Sequence, residues 1–158
     1  MKSNRTILIV LSLLVLASMM LSACGSAATP TAAPAAPIAS GGTLAVTGLV
    51  DKPLALSEKD LRAMNVATIT ADQPKVGSTS FTGVRISDLM TAASVQAAAA
   101  NSVLTGGDGY SAQIDMATLK ACADCMVAFT NTPGTFLAVM PGQAGKVWVK
   151  GVVKLEFK

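Results

Sequence analysis

The pattern of hydrophobic and polar positions from Thr43 onward predicts short strands interleaved with short helices. Thr43 to Val50 alternates, with Leu44 and Val46 on one face, and Pro53 ends the run, so this segment reads as a first strand. Ser57 followed three residues later by Asp60 has the form of a capping box, and Leu61 and Met64 supply the buried face of a short helix. Val66 to Thr70 is a β-branched run that predicts a strand, and Ala71 to Ser80 is polar and reads as a loop. Phe81 to Val84 leads into Ile86–Ala93, where Ile86, Leu89, Met90 and Ala93 recur at helical spacing.

Beyond an alanine-rich stretch from Val95 to Ala100 that fits no template, Ser102 to Thr105 and Ser111 to Ile114 read as strands around Gly106, Gly107 and Gly109. Asp115 can cap a helix through Leu119 and Ala121. Cys125 to Thr130 and Thr135 to Met140 predict a hairpin turning at Asn131-Thr132-Pro133-Gly134. The tail from Lys146 to Phe157 predicts one or two closing strands, with Val153, Leu155 and Phe157 on one side and Lys154 and Glu156 on the other. Strands and helices mix without a regular βαβ alternation, which favours an α+β fold, mixed and largely β, over a doubly wound sheet. Residues 43–158 suffice for one domain with a single core.

The first 42 residues have a different character. Lys2 and Arg5 precede an apolar run from Ile7 to Met20, which suits a signal peptide and is short for a membrane-spanning helix. Leu21-Ser22-Ala23-Cys24 resembles the lipobox of bacterial lipoproteins. The resemblance implies a signal peptide over 1–23, a diacylglyceryl group on the Cys24 thiol and Cys24 as the mature N-terminus. Two or more acyl chains anchor stably where one is marginal. A tether over 24–42 follows, rich in Ala, Pro and Thr, in which Pro30, Pro34 and Pro37 prevent a helix. The expectation is a globular head held at the cell membrane or outer membrane, on the extracytoplasmic side.

Composition changes the picture mainly by exclusion. The chain has 12 basic and 9 acidic side chains, and with Lys2 and Arg5 in the leader the remainder carries a net charge of +1. Without a basic cluster there is no electrostatic reason to expect nucleic acid. The chain contains no histidine. Ser-His-Asp and Cys-His mechanisms are therefore excluded, as are histidine-ligated metal centres. No metal site is expected from the residues themselves.

The order of the head's segments, "LSEKDLRAM", "FTGVRISDLMTAA", "DGYSAQI", "FLAVMPG" and "VWVKGVVKLEF", resembles the oxidoreductase molybdopterin-binding domain of the sulfite oxidase type. The resemblance implies a largely β fold carrying short helices. In catalytic members it also implies a molybdenum held by a pterin dithiolene and one protein cysteine, in the loop after the strand that corresponds to Val66 to Thr70. This chain has "TITADQPKVGS" there, with no thiol and no arginine. Such a metal needs a soft thiolate, which neither Thr70 nor Asp72 replaces. The expectation is a binding or interaction module without molybdenum catalysis, with molybdopterin implied as cofactor by resemblance alone. An envelope redox protein is the expected kind of partner. Two alternatives stay open: an active envelope oxidoreductase, using a molybdopterin or the Cys122/Cys125 pair, and a structural envelope lipoprotein.

The resemblance makes Thr70, Asp108, Gly109 and Tyr110 the candidate cofactor-binding residues. Glycines let backbone amides approach an anion, and Tyr110 could stack or donate a hydrogen bond. Turn chemistry accounts for the same residues: Gly106, Gly107 and Gly109 at positive φ, Asp108 bonding its own backbone and Tyr110 packed with a wet hydroxyl. Cys122 and Cys125 read as a disulfide in an exported protein. A redox pair of thioredoxin type would open a helix, whereas this pair follows one, and zinc would need further ligands. Trp148 and Phe157 read as core, and Lys146, Lys150 and Lys154 as a solvated strand face.

Overall fold

The alternation of the first run sets Leu44 and Val46 on one face of β1 (Thr43–Gly48), where both are fully buried. A computed structural model describes residues 42–158; the leader, Cys24 and the tether as far as residue 41 lie outside them. β1 pairs antiparallel with β2 (Leu54–Ser57) and parallel with β9 (Val152–Phe157). β9 pairs in turn with β5 (Asn101–Gly106), which forms a hairpin with β6 (Ser111–Asp115). The resulting order is β2-β1-β9-β5-β6. Register aligns Leu54, Val46, Leu155, Leu104 and Ala112 in one row across all five strands, so a single apolar stripe crosses this sheet.

β3 (Val66–Gln73), β4 (Gly77–Arg85), β7 (Met126–Phe129) and β8 (Phe136–Val139) form a second sheet in that order. Phe81, Val84, Met126, Ala128, Phe136 and Ala138 from it join Leu44, Leu104, Leu155 and Phe157 in one buried cluster. The cluster draws on both sheets and closes within residues 42–158, as independent folding requires.

The three α-helices among the described residues follow from local chemistry. In α1 (Glu58–Arg62) the Ser57 and Asp60 capping box forms, and Leu61 is fully buried while Met64 is half-buried. α2 spans Ile86–Ala93, the predicted range, and buries Ile86, Leu89 and Ala93. α3 (Met116–Ala121) starts at Asp115, whose carboxylate accepts from the Thr118 amide at 2.7 Å. Among the described residues no helix is long and apolar enough to cross a membrane.

Three expectations need correction. The predicted loop over 71–80 is mostly hairpin: β3 continues to Gln73, β4 begins at Gly77, and only Pro74, Lys75 and Val76 turn. Backbone pairing needs no apolar side chain, and the outer face carries hydroxyls such as Thr68 and Thr82, 2.9 Å apart across the ladder. β2 escaped the sequence pattern because four residues are too few to show a period. In β9 the pairing steps from Thr105 and Lys154 to Gly106 and Val152, so Val153 is extra. This bulge puts Val152, not Val153, in the core with Leu155 and Phe157.

Candidate functional site

Two turns from distant parts of the chain meet to shape the most highly charged cavity described. The first is the β3–β4 turn. Pro74 occupies its second position and Lys75 its third, at a φ of 69°, and the Val76 amide donates to the Gln73 carbonyl at 3.0 Å. Proline followed by a left-handed residue is the pattern of a type II turn, in which glycine is the usual third residue. The second is the 3-10 turn Gly145–Val147 with the segment to Lys150. They touch closely, since a Cβ on Gly145 would lie 3.1 Å from the Pro74 side chain.

Between them lies a cavity of about 400 Å³, walled by Gln73 to Val76 on one side and by Gly145, Lys146, Trp148 and Lys150 on the other. Three of the wall residues are lysines and none is acidic. Trp148 is 7% exposed, and its indole Nε1 is buried with no hydrogen-bond partner. The Phe81 ring holds the indole edge-to-face, with centroids 5.7 Å apart. A buried donor left unpaired is costly. Lysine ammonium groups are donors only, and three of them around one cavity suit an anionic oxygen group.

The Asp108-Gly109-Tyr110 turn stands behind this wall. Gly109 adopts a φ of 85°, and the Tyr110 amide donates to the Asp108 carboxylate at 3.0 Å. Gly106 and Gly107 do not adopt positive φ, contrary to expectation; close approach explains Gly106, where a Cβ would lie 2.9 Å from the Lys150 carbonyl oxygen. The Tyr110 hydroxyl donates to the Lys146 carbonyl at 2.7 Å, so this turn supports the cavity's rim from outside. Thr70 is exposed, on the face of β3 opposite to Gln73, and does not join these residues.

Sequence reasoning missed the lysines. Lys146 and Lys150, read with Lys154 as a solvated strand face, are solvent-exposed as expected but share no strand face with it: they line the cavity, whereas Lys154 lies on β9 and meets Glu156 at 3.2 Å. A 3-10 turn interrupts the alternation that would have put the three on one face. The available signal was a Pro-Lys turn together with lysines flanking the single tryptophan in "KVWVK".

Cys122 and Cys125 are joined by a disulfide, with Cα atoms 5.4 Å apart. Cys122 caps the C-terminus of α3, and the Cys125 carbonyl accepts from the Ile86 amide, next to the end of β4. The β3–β4 turn lies at the other end of β4, about 26 Å away at ~3.3 Å per residue. A molybdenum centre of the kind the resemblance implies needs a thiolate, and the described cysteines are bonded to each other at the wrong end of the strand. Among the described residues no three of His, Cys, Asp or Glu converge as a metal site. The residues that line the cavity do not fit the metal; they fit an anion.

The carboxylates whose acidity is clearly altered serve local structure. Glu58 is held below its ordinary range by the Gly134 amide, which donates to it at 2.7 Å, and by Arg62. Hydrogen bonds from Ser57 lower Asp60, and hydrogen bonds from Thr118 lower Asp115.

Comparison with known proteins agrees with this architecture. A family model described as the oxidoreductase molybdopterin binding domain matches residues 33–158. Among solved structures, the chain is similar to the sulfane dehydrogenase SoxCD from Paracoccus pantotrophus, with a TM-score of 0.63 and 23% identity. That match covers 73% of this chain and 37% of the other, so this chain spans well under half the length of that one, and the likeness is one of fold. No curated protein matches.

Proposed function

Since the chain belongs to the oxidoreductase molybdopterin-binding domain family, we propose that it is a lipid-anchored, extracytoplasmic binding module that keeps the family's fold and holds an anionic ligand without molybdenum turnover. One observation carries the reading: Lys75, Lys146 and Lys150 line one cavity, and no thiol stands beside them. Lysines around a concave site attract anions, because low-dielectric walls focus the field. The same cavity offers no soft donor to a metal. A pterin would find hydrogen-bond donors here, and a molybdenum atom would find no protein ligand.

Anchoring rests on the leader and on Cys24, and places the head where an envelope redox protein is a fitting partner. The test combines metal and pterin analysis of protein taken from membranes with fatty-acid labelling. The reading expects no stoichiometric molybdenum, and label on the native chain that disappears in Cys24→Ser. Molybdenum at one atom per chain would overturn the non-catalytic reading, and equal labelling of Cys24→Ser would overturn the anchor.

A further inference from the structure

We propose that the lysine cavity and an apolar cavity next to it form one site for an amphiphilic anion, a small molecule with a negatively charged head and an apolar body. This rests on the reading above, that the lysines bind an anion, and names the class of anion. The second cavity has a volume of about 320 Å³ and shares Gln73 and Lys150 with the first. Phe136 and Leu137 of β8 contribute to its lining, and no acidic side chain does. Each cavity lies near the lower end of the ~300–1,000 Å³ common for small-molecule sites.

The strands explain why the two cavities adjoin. β8 is the edge of its sheet, and Leu137 makes a single bridge with Lys150, while the Ala138 amide donates to the Val149 carbonyl at 2.9 Å. That bridge carries the segment bearing Trp148 and Lys150 across to the apolar edge. Lys150 therefore stands at the junction, with Lys75 and Lys146 on the polar side and Phe136 and Leu137 on the apolar side. Charge complementarity chooses the head group, since every charged residue in either lining is a lysine. A compact, fully hydrated anion would leave the apolar half unused. An anion with an alkyl or ring body fills both, and each methylene buried there is worth ~0.8 kcal/mol, close to fourfold in affinity.

The single tryptophan reports on the site. Residues 33–158 would be titrated with decyl phosphate below its aggregation concentration, with inorganic phosphate and with decanol, following Trp148 fluorescence. Decyl phosphate should bind at least a hundredfold more tightly than inorganic phosphate and at least tenfold more tightly than decanol. Lys150→Met should weaken decyl phosphate about tenfold and leave decanol unchanged, and Leu137→Asn should weaken decyl phosphate and leave inorganic phosphate unchanged. Equal affinity for both phosphates would overturn the amphiphile and leave the anion reading intact. Decanol binding as well as decyl phosphate, or no binding by any of the three, would overturn both. Circular dichroism of each variant separates lost binding from lost fold.

Discussion

The Tyr110 hydroxyl donates a hydrogen bond to the Lys146 carbonyl at 2.7 Å, joining the turn before β6 to the rim of the lysine cavity across 36 residues of sequence. Tyr110 is 48% exposed, so the contact fixes a position more than it fills a core. Tyr110→Phe should cost about 0.5–1 kcal/mol in urea unfolding, the ordinary worth of one partly solvated hydrogen bond. It should weaken anion binding at the cavity severalfold, because the Lys146 backbone is then free to shift. An unchanged affinity would show that the rim holds its place without this bond.

Lys75 sits at a φ of 69°, in the left-handed region where a side chain is strained. Such strain at a cavity wall is tolerated when the side chain has work to do there. Lys75→Gly should leave the protein as stable or up to about 1 kcal/mol more stable, and should weaken anion binding at the same time. Thermal unfolding and Trp148 fluorescence measure the two effects on one sample.

Glu58 ties α1 to the β7–β8 turn by accepting from the Gly134 amide at 2.7 Å and from Arg62, whose guanidinium carbon lies 4.0 Å from the centre of the Phe129 ring. The carboxylate is lowered from its ordinary value of 4.5 in the folded protein. Its contribution is therefore fully present above that value and is lost as pH falls through the lower folded one. The stability gap between wild type and Glu58→Gln should be constant near neutrality and shrink below pH 4.5. A gap that widened on acidification would contradict the hydrogen bonding described.

The Cys122–Cys125 disulfide closes over two intervening residues. In the chain-entropy treatment so small a ring is worth about 2 kcal/mol. The double variant Cys122→Ser, Cys125→Ala should remain folded with a lower urea midpoint. Thiol counting on denatured, unreduced residues 33–158 should find no free thiol, and two after reduction.

What the chain alone determined was whatever neighbours in sequence decide together. The Ser57 and Asp60 box, the Asp115 cap, the range of α2 and the β7–β8 hairpin are set within a few residues by capping, helical periodicity and turn chemistry. The order of these segments was enough to suggest the family, and the missing thiol near Thr70 was visible without coordinates. The β3–β4 hairpin was hidden because its outer face is hydroxyl-rich, and the step from Val153 to Val152 because a bulge breaks the period of two. Only tertiary structure could assemble the cavity. Lys75 and Lys150 are far apart along the chain and carry no shared periodicity; they face one space because Pro74 packs against Gly145 and the Leu137 bridge holds the segment that carries Lys150. Proximity between turns is fixed by how sheets pack, and local pattern records which residues form a turn without recording which other turn it will meet.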